Sequence, residues 1–173
     1  DVRTIKVVAN TPSENITGVM ATVTCDGNSV LVMPEKGTHN SELRITGDWD
    51  FSDYKAVKFT LENLDAKPLR ITFHLTNTDK YLEKSRRSLP ETVGDLYYLA
   101  PYEKRDVVLN FPEPLQHPDV EETLRKSPMR YTPYSDEFGF ASYSGDLTDV
   151  QYIVFQGLYL ALFENDHENG WRV

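Results

Sequence analysis

The sequence predicts an all-β protein: an antiparallel β-sandwich of jelly-roll type with two long irregular loops and at most one short helix. Three observations carry this prediction. Apolar and polar residues alternate with period two in several short runs, as in strands that bury one face. Turn-forming residues separate these runs, and the chain holds 9 Gly and 10 Pro. Aromatic residues, which favour strands, make up 12% of the chain.

The predicted strands follow one another with turns between them. Val19–Thr24 alternates and runs into the turn residues Asp26-Gly27-Asn28. The clearest pair is Val57–Glu62 and Leu69–Thr76, in which odd-numbered residues are apolar and even-numbered residues are mostly polar. The short connection between this pair is typical of antiparallel neighbours. The remaining predicted strands are Ser29–Met33, Leu43–Thr46, Leu96–Leu99, Val107–Leu109, Asp149–Phe155, Leu158–Phe163 and Trp171–Val173.

Three segments depart from the strand pattern. Asp119–Lys126 is the helical candidate, since Asp119 precedes Glu122 by three residues as in a capping box and Pro128 would end the helix. Thr76–Gly94 and Phe111–Thr148 are long, polar and aromatic. Loops of that length in a compact domain usually carry function or lack fixed structure.

Length and charge set the class of protein. The 173 residues suit one domain, so we predict a single β-sandwich domain over residues 1–173. The last predicted strand stops in the middle of its pattern. We therefore expect that the domain is trimmed from a longer chain and that the continuation of this strand would pair with a neighbouring strand. The net charge of −9 repels nucleic-acid phosphates and anionic lipids, so we expect neither nucleic acid nor a membrane as partner. The single cysteine, Cys25, reads as a small buried hydrophobe.

The sequence predicts no catalytic residue. It contains no G-x-S-x-G motif, and Ser52-Asp53-Tyr54-Lys55 matches S-x-x-K only in spelling because it falls in a predicted turn. The 4 histidines are scattered singly, so no zinc site is predicted. Among 27 acidic residues some carboxylate pair is always available, so such a pair does not indicate a glycosidase centre.

The two irregular stretches carry residues that suit carbohydrate. Sugar rings present apolar faces and hydroxyl groups, so a glycan site combines aromatic rings with Arg, Asn or Asp side chains. The pair Arg86-Arg87 either forms ion pairs at the rim of a site or binds anionic or hydroxyl-rich ligands. Aromatic loops that only cover a core edge are the competing interpretation. The candidate carbohydrate-binding residues are Asn77, Tyr81, Arg86, Arg87, Arg130, Tyr131 and Tyr134.

One segment has the composition of a calcium loop. Glu164–Gly170 places oxygen ligands at alternate positions before a glycine, with Asp166 and Glu168 as the candidate ligands. The spacing is not that of an EF-hand, and a polar hairpin turn explains the pattern as well. We therefore expect no required cofactor, with a structural calcium as the one candidate.

The order of segments resembles a known family. The run GDWDFSDYKAVKF, residues 47–59, is similar to the strand entry of jelly-roll modules related to carbohydrate-binding modules. Similar modules precede the catalytic barrels of agarases in glycoside hydrolase family 50. Leu75-Thr76-Asn77, Gly145–Phe155 and Trp171-Arg172-Val173 resemble later segments of these modules. The resemblance implies a galactose-binding-like β-sandwich, a structural calcium and an accessory role in polysaccharide breakdown.

Three functions follow as expectations. The first is a non-catalytic carbohydrate-binding or accessory module of an extracytoplasmic glycoside hydrolase, with a polysaccharide or oligosaccharide and an adjacent catalytic domain of the same chain as partners. The second is a structural or interaction sandwich that braces such a domain and exposes an apolar patch. The third is an independent jelly-roll hydrolase or lyase, which would need a cleft of charged residues with shifted pKa values.

Overall fold

The computed structural model describes residues 4–77, 92–111, 142–143, 147–160 and 169–173. Within these ranges the chain forms eleven strands in two sheets, and every pairing between strands is antiparallel. The strands are β1 Ile16–Val19, β2 Ala21–Asp26, β3 Ser29–Pro34, β4 Asn40–Trp49, β5 Ala56–Asn63, β6 Leu69–Thr76, β7 Thr92–Leu99, β8 Lys104–Asn110, β9 Ser142–Tyr143, β10 Val150–Tyr159 and β11 Trp171–Arg172. Two single-turn 3-10 helices, Val8–Asn10 and Ser13–Asn15, precede β1.

The two sheets pack face to face, which confirms the predicted all-β sandwich. The six-stranded sheet has the order β1-β4-β10-β6-β7-β9, and the five-stranded sheet has the order β2-β3-β11-β5-β8. Phe59 of the five-stranded sheet packs between Phe73 and Phe155 of the other, with ring centroids 4.8 and 5.2 Å away. Because alternate residues of a strand share a face, the odd-numbered apolar residues of β5, β6 and β10 meet in one core.

The predicted strand Val19–Thr24 is wrong as a single element. It is divided at Met20, whose φ of 55° turns the chain out of β1 in one sheet and into β2 in the other. The carbonyl of Met20 accepts a hydrogen bond of 2.9 Å from the amide of Glu35. Alternation of period two is the same on both sides of such a corner, so the sequence pattern does not reveal it.

Other strands are longer than predicted. The expected strands at 149–155 and 158–163 are continuous as β10 through Gly157, and residues 161–163 lie outside the described ranges. β7 begins at Thr92, so the predicted irregular stretch Thr76–Gly94 ends earlier than expected. β9 forms inside the second predicted stretch, Phe111–Thr148. The helical candidate Asp119–Lys126 lies outside the described residues.

Cys25 is exposed, so the expectation of a buried thiol is wrong. β2 is the edge strand of its sheet, and Cys25 lies near its end, beside the turn to β3. Ala21 and Val23 on the same face are half-buried against the core, but the sandwich does not extend over the end of the strand.

β11 fills the centre of the five-stranded sheet, between β3 and β5. Trp171 is fully buried, and its Nε1 donates a hydrogen bond of 2.8 Å to Oγ of Ser41 in the opposite sheet. Ser41 and Gly157 are register partners on β4 and β10. A Cβ atom at position 157 would lie 2.7 Å from Nε1 of Trp171. The glycine therefore makes room for the indole rather than ending a strand.

A second buried contact fixes the position of Gly170, the residue that directly precedes β11. The hydroxyl of Tyr159, at the end of β10, donates a hydrogen bond of 2.6 Å to the carbonyl of Gly170. Asn63 of β5 lies beside it, and its Nδ2 donates to the carbonyls of Lys67 and Ala100 at 2.8 and 3.0 Å. Burial, and to a smaller extent the carboxylate of Asp65, raises the pKa of the Tyr159 phenol well above its ordinary value.

Gly157→Ala is expected to lower the free energy of unfolding by about 1–3 kcal/mol, because the added methyl group overlaps the buried indole of Trp171. Urea denaturation followed by tryptophan fluorescence measures the loss. Thr24→Ala, on the exposed side of β2, is the control and should change stability by less than about 0.5 kcal/mol. A Gly157→Ala protein as stable as the control would contradict the packing described for β11.

Tyr159 should make the fold sensitive to alkali. In the unfolded chain its phenol ionises near pH 10, about its ordinary pKa, while the fold keeps it protonated. The stabilisation is complete below that pH and is lost above it, at up to about 1.4 kcal/mol per pH unit. Urea titrations between pH 8 and pH 11 should show this slope, and Tyr159→Phe should show less of it. Equal slopes in the two proteins would sink the assignment.

Candidate functional site

The six-stranded sheet has a second face, which points away from the five-stranded sheet and is called the outer face below. Its side chains come from the even-numbered residues of β4, β6, β7 and β10, because the odd-numbered residues face the core. Most of them are polar. They are Asn40, Glu42, Arg44, Thr46, Arg70, Thr72, His74, Thr76, Leu96, Tyr98, Tyr152, Val154, Gln156 and Leu158.

The middle of the outer face is buried. Thr72 and Val154 have no exposed surface, and His74 and Thr76 are each 2% exposed, although none of the four belongs to the core between the sheets. The outer face of an antiparallel sheet is ordinarily solvated. A buried polar group lowers the stability of the fold unless it is hydrogen-bonded. Each buried polar side chain on this face therefore requires a hydrogen-bond partner.

Glu42 organises one part of the outer face. Nε of Arg44 donates to one oxygen of the Glu42 carboxylate, and Nε2 of Gln156 donates to the other. Gln156 lies directly opposite Glu42 on the neighbouring strand, while Arg44 is the next outward residue along β4. The Glu42 side chain is 10% exposed and that of Arg44 is 30% exposed. The carboxylate thus fixes the orientation of both a guanidinium and an amide group.

Two polar atoms of this face have no hydrogen-bond partner among the described residues. They are Oε1 of Gln156, an acceptor, and Nε of Arg70, a donor, and both atoms are buried. Gln156 pairs with Thr72, so Arg70 is its diagonal neighbour on β6, at about 7–8 Å between backbones.

Gly94 shapes the neighbouring part of the outer face. It is the register partner of His74, and a Cβ atom there would lie 2.9 Å from Nδ1 of the imidazole. The imidazole occupies the space that a larger residue on β7 would fill. The sequence reading treated this histidine as one of several scattered singly, and gave Gly94 to a loop.

Sequence reasoning missed these outer-face residues. Its candidates came from loops, whereas Glu42, Arg44, Arg70 and Gln156 lie on strands. The signal was present in the alternation: the even-numbered residues of β6 include Arg, Thr and His, and they had to face away from the core. Pairing of strands distant in sequence brings Glu42 and Gln156 together, and no local pattern reveals that pairing.

One sequence-predicted binding residue lies in the described ranges: Asn77, which is half-buried and directly follows β6. The remaining candidates lie outside the described residues, so the structure does not show whether they converge. The first predicted binding stretch leaves β6 and enters β7, and the second reaches β9; these three strands are neighbours in the six-stranded sheet. The candidates outside the described residues are Tyr81, Arg86, Arg87, Arg130, Tyr131 and Tyr134, with the proposed calcium ligands Asp166 and Glu168.

The described residues hold no group of three or more His, Cys, Asp or Glu side chains placed for a metal ion. Ser52 lies in a turn, as predicted, where its amide and hydroxyl donate to Oδ1 of Asp50 at 2.9 and 2.5 Å. These two hydrogen bonds lower the pKa of the Asp50 carboxyl. Ser52 therefore stabilises a turn and is not presented to Lys55 from a helix, as S-x-x-K chemistry requires. Among the residues that the structure describes, no helix is long and apolar enough to cross a membrane.

Comparison with known proteins gives a likeness in fold alone. No protein-family model and no curated protein matches the sequence. The crystal structure of an agarase, AgWH50C, is similar to this chain with a TM-score of 0.54 at 11% sequence identity. The similarity covers 96% of this chain and 26% of the agarase chain, so this chain spans about a quarter of that protein. The structural neighbour is thus an agarase, as the resemblance of segments had implied.

Glu42→Gln is expected to lower the free energy of unfolding by about 1–3 kcal/mol, because it leaves the guanidinium of Arg44 in a half-buried position without its carboxylate. Glu62→Gln is the matched control. Glu62 also accepts a hydrogen bond from an arginine, Arg172, at 3.1 Å, but that pair lies on the more exposed opposite sheet and should contribute less than about 1 kcal/mol. Chemical denaturation of both proteins measures the difference, and equal losses would contradict the role given to Glu42.

Proposed function

We propose that this chain is a non-catalytic carbohydrate-binding or accessory module of a glycoside hydrolase that degrades a polysaccharide. The observation that carries the proposal is the extent of the fold likeness: almost the whole chain corresponds to about a quarter of an agarase chain. A chain that corresponds to only a part of a larger enzyme is, in this proposal, one module of such an enzyme. Its partner in the same chain is the catalytic domain. A polysaccharide is too large to enter a cell, so the proposed location is extracytoplasmic.

The chemistry of the outer face supports carbohydrate as the ligand. A sugar hydroxyl donates one hydrogen bond and accepts others, which matches the buried Nε of Arg70 and Oε1 of Gln156, two atoms that have no partner among the described residues. Tyr98, which is 39% exposed, offers an aromatic ring at the same end of the face as Arg70, its register partner. Aromatic rings stack on the apolar faces of sugars. In the proposal, Asn77 and the sequence-predicted residues Tyr81, Arg86, Arg87, Arg130, Tyr131 and Tyr134 extend this site.

A bracing role is the second candidate. It is favoured by exposed apolar side chains on the five-stranded sheet side, where Val108 is 55% exposed and Ile5 is 42% exposed. Both line one cavity, and exposed apolar side chains are of the kind that contact another domain. In this alternative the module supports the catalytic domain and binds no sugar.

Affinity gel electrophoresis against a panel of algal and plant polysaccharides tests the proposal. At least one polymer should retard the protein, and calorimetry should then show binding weakened tenfold or more by Arg70→Ala or Gln156→Ala, which is about 1.4 kcal/mol. Arg172→Ala, on the opposite sheet, is the matched control and should bind as the unaltered protein does. Each variant is first checked for an unchanged thermal unfolding midpoint.

The remaining outcomes are equally informative. Loss of binding in Tyr81→Ala, Arg86→Ala or Tyr134→Ala with unaltered binding in the outer-face variants would place the site on the predicted loops. Retardation by no polymer would overturn carbohydrate binding and leave the bracing role.

A further inference from the structure

The five-stranded sheet contains a gap in line with its central strand. β11 separates β3 from β5 at Trp171 and Arg172, and its last backbone contact is the pair Val173 and Val30, whose amides and carbonyls exchange hydrogen bonds of 2.9 and 3.0 Å. Beyond this pair, β5 continues to Ala56 with β8 on one side. On the other side, the described residues give β5 no strand partner before Glu62.

A cavity of about 740 Å³ occupies this gap and is called the slot below. One wall is formed by β5 from Val57 to Thr60, and the other by Asn28, Ser29 and the segment that contains Val7. The floor is apolar and belongs to the core, with Phe73 and Phe155 of the six-stranded sheet among its buried lining residues.

The backbone of β5 is oriented to pair with a strand in the slot. Since Val173 directs its amide and carbonyl to β3, Arg172 directs its own to β5, opposite Glu62. Alternate residues along a strand point their backbone groups the same way, so Thr60 and Lys58 face the slot. The odd-numbered residues face β8, as shown by the hydrogen bonds from Asn63 to Glu103 and from Phe111 to Lys55, 2.9 and 2.8 Å long.

The side chains around the slot define the pattern of its occupant. Trp171 and Val173 face the core, so in a strand that runs on in the same direction the second and fourth positions after Val173 face the apolar floor. The first and third positions face outward, beside Thr60 and Lys58. Lys58 is exposed, so an acidic residue opposite it would add a favourable cross-strand pair.

We propose that the slot receives a polypeptide strand that runs in the direction of β11, pairs antiparallel with β5, and carries apolar side chains at alternate positions. The strand belongs to the segment that joins this module to its catalytic domain. The source of the strand rests on the proposed function, whereas the pairing with β5 rests on the geometry of the slot. An added strand of this kind gains affinity from backbone hydrogen bonds and specificity from alternate side chains.

Amide hydrogen exchange in the 173-residue chain is the first test. The amides of Lys58 and Thr60 should exchange at least a hundredfold faster than those of Phe59 and Leu61, which bond to β8 on the same strand. Residue-resolved NMR measures all four rates in one sample. Protection of Lys58 and Thr60 equal to that of Phe59 and Leu61 would show that the slot is already filled, and would overturn the proposal.

A chain extended by six residues after Val173 is the second test. The sequence Thr-Val-Thr-Val-Thr-Gly places valine at the positions that face the floor, and it should slow exchange at Lys58 and Thr60 at least tenfold. The matched control, Pro-Val-Pro-Val-Thr-Gly, keeps both valines but removes the amides that would bond to β5. It should protect both amides far less, because each proline loses one of the two hydrogen bonds that its position would make with β5.

Equal protection by the two extensions, or none by either, would contradict pairing with β5. The readout is independent of polysaccharide binding, so failure here leaves the proposed function standing, and a negative polysaccharide panel leaves this test unaffected. Should the extended chains fail to fold, the exchange rates of the 173-residue chain still decide whether the edge of β5 is open.

Discussion

The contact of Trp171 with Ser41 and Gly157 is the constraint on which the rest of the sandwich depends. β11 is short, yet it is the only connection between the β2–β3 hairpin and the β5–β8 pair in the described part of the five-stranded sheet. Its indole is fully buried and fixed by a hydrogen bond to the opposite sheet. Trp171 therefore completes one sheet and connects it to the other. Both effects require that position 157 has no side chain.

Much of the fold follows from alternation alone. β5 and β6 are predicted almost to the residue, because one face of each strand is buried and the register of a pleated strand assigns every side chain to a face. The incorrect strand boundaries lie at two residues whose effect depends on the surrounding structure. Met20 turns the chain from one sheet to the other. The local sequence at Gly157 suggests a strand break, but the glycine lies within a strand and leaves space for the indole of a residue distant from it in sequence.

The candidate site was less predictable than the fold. A carboxylate such as Glu42 resembles any of the other acidic residues in a sequence, and only the pairing of β4 with β10 shows that Gln156 lies opposite. The burial of the Glu42 side chain likewise depends on the assembled sheet. Trp49 is also placed by the assembled fold, since it packs against the core and stacks on Phe51 with ring centroids 5.9 Å apart.

The position of β11 also imposes an order on synthesis. Every described strand of the six-stranded sheet has been synthesised once Tyr159 has been added to the chain, so that sheet has all these members before β11 exists. The five-stranded sheet must wait for residues 171 and 172, which insert between two strands made more than a hundred residues earlier. Pairings between distant parts of a chain form slowly. A nascent chain paused before Trp171 would thus lack the strand that joins the β2–β3 hairpin to the β5–β8 pair, and the space beside Ser41 and Gly157 would lack its indole.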